Sequence, residues 1–217
     1  MNVNDAVRAR RSVRDFLPDP VGDDVVRELL EGASRAPSGG NLQPWRIYVV
    51  NGSSLTRLRE FLRDQPPIEA AEYEMYPPKL WEPYRTSRFE NGEQLYGVLG
   101  VGRDDKAERA RWFTRNDDFF GAPCALFCFV DRGMGQAQWS DLGMFLQTFM
   151  LLATEHGLAT CPQEYWSLRH GSIQQFVGAP DQEMLFCGMC VGRENTDAQI
   201  NALRTTRRPV DEWARWV

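Results

Sequence analysis

The chain has 217 residues, of which 42% are hydrophobic and 25% charged, with a formal net charge of −5. That length suits one domain with a sizeable core and is short for two, and the composition excludes a disordered chain. A mildly acidic protein is also a poor candidate for wrapping nucleic acid or coating an anionic membrane.

Asn4–Ala9 reads as a short helix, followed by the basic turn Arg10-Arg-Ser-Val-Arg14. Asp23 can cap a helix to about Arg35, with Val25, Val26, Leu29, Leu30 and Ala33 on one face. Ala36–Trp45 holds two prolines, two glycines and an asparagine, so it is a shaped loop. A strand over Arg46–Val50 and a helix over Leu55–Arg63 come next. Pro66–Pro83 holds five of the thirteen prolines, with Tyr73, Met75, Tyr76 and Trp81 among them. Such a stretch is neither a regular helix nor a central strand, and the segment 66–92 is expected to be an ordered covering insert or a lid.

Helices are expected over Glu93–Leu99 and Lys106–Thr114, then a strand over Cys124–Val130. Gln138–His156 is a strong helix whose apolar residues cover more than one face, which suits a central or interface position. Ser167–Val177 reads as helix and Met184–Val191 as a buried strand; the tail 195–217 is polar and carries Arg204, Arg207 and Arg208. Few strands among many helices predict a single α+β domain over residues 1–217, one central sheet covered by helices. Met1–Val25 has no apolar core of the kind a secretory leader needs. Leu142–Ala153, broken by Gln147 and Thr148, is too short to span a bilayer. A soluble cytoplasmic protein with no membrane or nucleic-acid partner is expected.

Five cysteines without an export signal do not suggest a disulfide framework. Cys187-x-x-Cys190 has redox or zinc spacing, but on a strand residues three apart point to opposite faces. With only His156 and His170 in the chain, no metal site is expected.

The chemistry concentrates in four segments. Arg10, Arg11 and Arg14 beside Ser12 repel one another unless water separates them or an anion joins them, and their forked donors suit phosphate. Ser38, Asn41 and Gln43 present donors and acceptors in one compact turn, which suits the edge of a flat heteroaromatic ring. Gly157-Leu…Pro162-Gln-Glu-Tyr165 follows the buried helix, and the tail arginines form the fourth segment. No Walker lysine or G-x-G-x-x-G is present.

In this order the segments resemble the flavin-dependent nitroreductase family. Arg10-Arg-Ser-Val-Arg-Asp-Phe16 with Pro20-Val21, then Ala36-Pro-Ser-x-x-Asn-x-Gln-Pro-Trp45, are similar to its opening. Gly157-Leu…Pro162-x-Glu164 and Asn201-x-x-Arg-x-x-Arg207-Arg-Pro209 are similar to its remaining signatures. The resemblance is tightest to members with a proline- and aromatic-rich insert and a Phe119-Phe-Gly-Ala-Pro123 element, several of which reduce nitrobenzoates and related nitroaromatics.

The resemblance implies a mostly antiparallel sheet flanked by helices, and a homodimer through long helices with FMN at its interface. It implies that Arg10 and Arg207 contact the FMN phosphate, with Arg11 and Ser12 in the same cradle and Arg204 as a weaker candidate. Arg14 would lie near the pyrimidine end of the flavin, where a fixed cation stabilises the negative charge of the reduced ring. Pro37, Ser38, Asn41 and Gln43 would hold the ring and ribityl chain, and Gln163 and Glu164 would line the flavin, Glu164 through its backbone amide. Two departures from the family stand out: Tyr165 replaces a common glycine, and Arg14 replaces a lysine found in some members.

The implied reaction is ping-pong hydride transfer, from NADH or NADPH to FMN and then to a small aromatic acceptor, with no protein nucleophile or carboxylate pair. Asp117-Asp118 and Asp104-Asp105 then read as caps or solvated charges, while Tyr73, Tyr76, Trp81, Phe119 and Phe120 are candidates for the acceptor pocket. Two rival readings on this scaffold are a reductive dehalogenase using Glu69 and Tyr73, and a flavin-binding module whose nicotinamide site Tyr165 and the insert close. A cofactor-free structural domain is a third.

Overall fold

Four antiparallel strands form the centre of the computed structural model, which describes residues 1–217. They are β1 (Arg46–Asn51), β2 (Cys124–Asp131), β3 (Ala159–Gln163) and β4 (Glu183–Gly192), in the spatial order β1-β2-β4-β3. The seven α-helices are α1 (Val3–Ala9), α2 (Asp23–Ala33), α3 (Ser53–Arg63), α4 (Tyr84–Val98), α5 (Lys106–Thr114), α6 (Gln136–Glu155) and α7 (His170–Val177). None of them is long and apolar enough to cross a membrane.

The alternation of β2 divides the core into two layers. Cys124, Leu126, Cys128 and Val130 point to one face, where Val26, Leu29 and Ala33 of α2 and Leu142, Phe145 and Phe149 of α6 cover them. Ala125, Phe127 and Phe129 point to the other, against Leu55, Leu58 and Leu62 of α3 and Ile173 of α7. The fold is therefore α+β, as expected, with helices on both faces of one antiparallel sheet. Cys187 packs in the first layer and Cys190 in the second, so the two thiols lie on opposite faces of β4.

β3 was not foreseen from sequence. It is five residues long and contains Pro162, which removes a backbone donor; the strand tolerates it because it lies at the sheet edge. β4 carries a bulge, since Cys128 pairs with Cys187 while Phe129 pairs with Leu185, leaving Phe186 extra. Three helix starts also differ. Gly22 rather than Asp23 occupies the cap of α2, and the Asp23 carboxylate instead accepts from Asn51 Nδ2 at 2.7 Å. The segment expected as a helix from Ser167 opens as a 3-10 turn over Glu164–Arg169 before α7 begins. α4 starts at Tyr84 rather than Glu93, because Glu82 accepts from Thr86 Oγ1 at 2.7 Å and from Thr86 N at 3.3 Å and so satisfies its first turn.

The first half of the insert is pinned to the body. Glu69 accepts from the amides of Gly171 (2.7 Å) and Ser172 (3.0 Å), placing its charge at the start of α7. Glu72 pairs with Arg132 at 2.5 Å. Tyr73 donates to the Phe186 carbonyl at the bulge and packs edge-on against Trp139, with centroids 5.5 Å apart. Tyr73 thus belongs to the core, not to an acceptor pocket. Trp81 is 58% exposed, and Phe119 is fully buried against Trp166, so neither lines a pocket. α4 and α5 bury no residue at all.

Gly188 is where β4 lets the Trp166 indole approach: a Cβ there would stand 2.3 Å from Trp166 Cδ1. Gly188→Ala is expected to cost about 1–3 kcal/mol of stability through overpacking, read as a lower urea midpoint. A second expectation concerns the thiols. Burial pushes Cys161 from 9.0 up to about 11, and Cys124 and Cys187 up to about 12. Because the folded values exceed the unfolded ones, this contribution to stability is complete below pH 9 and is lost as pH climbs through the folded values. At pH 8 iodoacetamide should leave the native protein unlabelled and alkylate all five cysteines once guanidinium unfolds it.

Candidate active site

The basic turn after α1 is laid along β3. Val13 N donates to Thr160 O at 3.0 Å, Ser12 bridges Thr160, and Phe16 N donates to Phe120 O at 3.1 Å. Val13 and Phe16 face the core, which turns Arg10, Ser12 and Arg14 outward. The tail is fastened to the same stretch by Asn201, itself buried. Its Oδ1 accepts from Arg14 N at 2.8 Å, and its Nδ2 donates to Asp15 O at 2.8 Å and Asn195 O at 2.9 Å.

These connections assemble a cavity of about 500 Å³ lined by Arg8, Arg10, Arg11, Ser12, Arg14, Arg204 and Arg207, together with Asn91 of α4 and Gln147 of α6. No carboxylate is among its lining residues. Arg11 is held by Glu194 outside the cavity, and its Nε is buried without a partner. Arg207 folds back onto Thr205 Oγ1 and Thr206 O, both at 2.8 Å. Burial, and then the charge of Arg207, lower the Arg10 guanidinium below its usual range. A set of arginines under mutual repulsion, one with an orphaned donor, fits a phosphate ester.

A second cavity of about 530 Å³ opens on the other side of Arg14. Its floor is Cys161–Tyr165, and Met75, Tyr76, Arg88, Phe113 and Phe120 enclose it. Tyr165 withdraws its hydroxyl into Asp117 at 2.8 Å, and Asp117 in turn pairs with the buried Arg169 at 2.7 Å. Asp117 is therefore a structural anion here, while Asp105 caps α5 by accepting from Glu108 N at 3.0 Å. Glu164 is open to the cavity, yet the surrounding protein strips enough water to raise its carboxyl above the usual value.

Gln163 lines this cavity, but not through its side-chain amide. Its carboxamide turns inward, donating to Asn116 O (3.1 Å) and Oδ1 (3.0 Å) and accepting from Trp166 Nε1 at 3.0 Å. Tyr76 and Phe120 line the cavity, as considered for the acceptor pocket.

The Ala36–Trp45 loop lies apart from both cavities. Gly39 N donates to Asp141 of α6 at 3.2 Å, and Trp45 stacks on Phe145 with centroids 4.8 Å apart. Within the loop Ser38 Oγ accepts from Gln43 N at 3.0 Å, and Asn41 and Gln43 hold positive φ of 56° and 50°. Pro37, Ser38, Asn41 and Gln43 line neither cavity within one protomer. Arg8, Asn91, Gln147 and Arg88 were missed from sequence. The first three carry no local signal, because helices distant in the chain deliver two of them. For Arg88 the chemistry of an arginine beside aromatics was visible, but its place in space was not.

The Nitroreductase family signature matches residues 7–193. The chain is 36% identical to a 4-nitrobenzoate reductase of Pseudomonas putida, over 93% of this chain and 89% of that protein. It is 35% identical to a nitrobenzene nitroreductase of Ectopseudomonas oleovorans, over 99% of this chain and 96% of that one. Among solved structures, the FMN- and NADPH-dependent nitroreductase NfnB from Sphigopyxis sp. strain HMH superposes with a TM-score of 0.95 at 40% identity, covering 100% of this chain and 99% of that one. With the motifs, the fold and these relatives in agreement, the chain belongs to the nitroreductase family.

Proposed function

We propose that this protein is an FMN-dependent NAD(P)H oxidoreductase that reduces nitroaromatic, quinone-like or related small acceptors in a ping-pong reaction. The observation that carries the reading is that the two cavities share Arg14 in their linings. A carboxylate-free arginine cradle lies on one side of Arg14, and an aromatic-walled cleft over the backbone of Cys161–Tyr165 lies on the other. When bound, FMN supplies the two-electron chemistry, accepting hydride from a reduced nicotinamide and delivering it to the acceptor.

The chain's own residues do the rest. Arg10, Arg11, Ser12, Arg204 and Arg207 bind the phosphate, with Arg8, Asn91 and Gln147 closing the cradle. Arg14 keeps a fixed positive charge at the junction, where negative charge develops on reduction. Gln163 holds the floor strand in place from inside, and Glu164 offers its backbone amide to the cleft. Tyr165, locked by Asp117, and Phe120 exclude water from the sides. Donor and acceptor occupy one cleft in turn, and a volume of about 530 Å³ is sufficient for an aromatic ring. The dehalogenase alternative is disfavoured because Glu69 is spent capping α7 and Tyr73 is spent in the core.

We further propose that the working unit is a homodimer. The polar loop of Pro37, Ser38, Asn41 and Gln43 is strained, lies away from its own cradle, and carries Leu42 at 53% exposure. On the outer side of α6 Met144 is exposed, and Trp213 and Trp216 of the tail are exposed as well. A second copy would bury these surfaces and bring its loop to the flavin.

Three outcomes check this reading. The purified protein should show a flavin spectrum that bleaches anaerobically with NADPH, the donor named for the Sphigopyxis relative, and recovers on adding a nitroaromatic. Arg10→Ala should weaken FMN binding by about 1.5–3 kcal/mol, the scale of a charged hydrogen bond, in an apoprotein titration; unchanged affinity removes Arg10 from the cradle. Finally, Arg10→Ala and Asn41→Ala chains, each impaired alone, should recover activity when co-expressed, since a mixed dimer holds one intact site.

A further inference from the structure

The arm formed by α4 and α5 is dense in arginine, and almost every one is neutralised nearby. Arg85 pairs with Glu82 at 2.6 Å, Arg111 with Glu108 at 2.5 Å, and Arg109 with Glu93 at 3.4 Å. Arg103, between the helices, takes the other oxygen of Glu93 at 3.5 Å. Arg88 is the exception. It makes no ion pair and no hydrogen bond, and its guanidinium lies over the Tyr76 ring, 4.4 Å from the centroid.

That placement matters, because a guanidinium held over an aromatic face without a hydrogen-bond partner keeps its N–H donors free for an anion. Arg88 and Tyr76 both line the second cavity, as do Phe113, Phe120 and Tyr165. The one carboxylate in that lining, Glu164, forms no ion pair with Arg88. The other cation there, Arg14, sits at the junction with the phosphate cradle, where its Nη1 donates to Ser12 O at 3.3 Å. The cleft thus offers aromatic walls for a ring and one uncommitted guanidinium for an anion.

We propose that the cleft selects aromatic acceptors bearing an anionic substituent, a carboxylate above all, and that Arg88 is the specificity-determining residue that receives it. The proposal rests on the oxidoreductase reading given above, and it narrows the acceptor class within it. A planar carboxylate on a benzene ring matches both halves of the site: the ring meets Tyr76, Phe113 and Phe120, and the two oxygens meet the guanidinium.

The test compares two acceptors of nearly one shape, 4-nitrobenzoate and its neutral methyl ester, with FMN-loaded wild type, Arg88→Ala and Arg88→Lys. Arg88→Ala should raise KM for 4-nitrobenzoate about tenfold more than KM for the ester, as expected for one charged hydrogen bond. Arg88→Lys should recover part of the loss. Benzoate binding to the oxidised holoprotein, measured by calorimetry without turnover, should weaken in parallel. Equal effects on acid and ester, or none on either, would overturn the proposal. So would a raised KM for NADPH with 4-nitrobenzoate unaffected, which would assign Arg88 to the donor's phosphate. Failure of the oxidoreductase reading looks different: NADPH would then leave the flavin oxidised in wild type, whatever benzoate does.

Discussion

One buried side chain, Gln163, sets the floor on which the site is built. Its amide donates to Asn116, and its carbonyl accepts from Trp166 Nε1 and from Cys190 Sγ at 2.9 Å. Four stretches meet there, two of them consecutive in the chain: the end of the α5 arm, β3, the 3-10 turn and β4. A buried carboxamide left without these partners would cost far more than each bond contributes, so the four stretches keep one relative position. That position turns the backbone of Cys161–Tyr165 toward the cavity and the Gln163 side chain away from it. The adjoining Asp117–Arg169 pair does the same for Tyr165, whose hydroxyl it holds out of the cleft.

The wall opposite carries strain. Phe119 and Phe120 both hold φ near 54°, in the left-handed region that bulky residues avoid. Each such residue costs on the order of 1–3 kcal/mol and persists only where its surroundings over-determine it. Here the Phe119–Trp166 stack, 4.6 Å between centroids, and the Phe16 N–Phe120 O bond do so. The result is a Phe120 ring at the cavity wall that regular backbone would not place there. Asn41 and Gln43 also hold positive φ, in the exposed loop proposed to meet a second copy.

The electrostatics invert the bulk charge. A chain of net charge −5 collects Arg8, Arg10, Arg11, Arg14, Arg204 and Arg207 around one cavity with no carboxylate in its lining. Gathering them costs mutual repulsion and lost hydration, visible in the lowered Arg10, and a dianionic phosphate would offset both. The covering arm follows a different rule. Glu69, Glu72 and Tyr73 fasten its first half, while α4 and α5 bury nothing and hold together through surface ion pairs and cation–π stacks. Few buried contacts mean low local stability. The arm thus holds the part of the cleft lined by Arg88 and Phe113 less firmly than the body holds the floor strand.

Local patterning in the chain determined the helices α2, α3, α5 and α6, the strands β1, β2 and β4, the opposite faces of Cys187 and Cys190, and the motifs that mark the family. Each of these is written in periodicity, in turn chemistry or in contiguous residues, which neighbours in sequence suffice to express. Tertiary structure decided what depends on approach from afar. β3 is a strand only because an edge accepts Pro162. Gln163 is a bracket only because Asn116 and Trp166 surround it. Tyr73 and Phe119 became core while Tyr76 and Phe120 became wall, although all four are aromatic residues near prolines or glycines. Arg88 stands free only because the carboxylates that neutralise its neighbours lie out of its reach. Side-chain identity is local, but burial, partnership and direction are properties of the packed molecule.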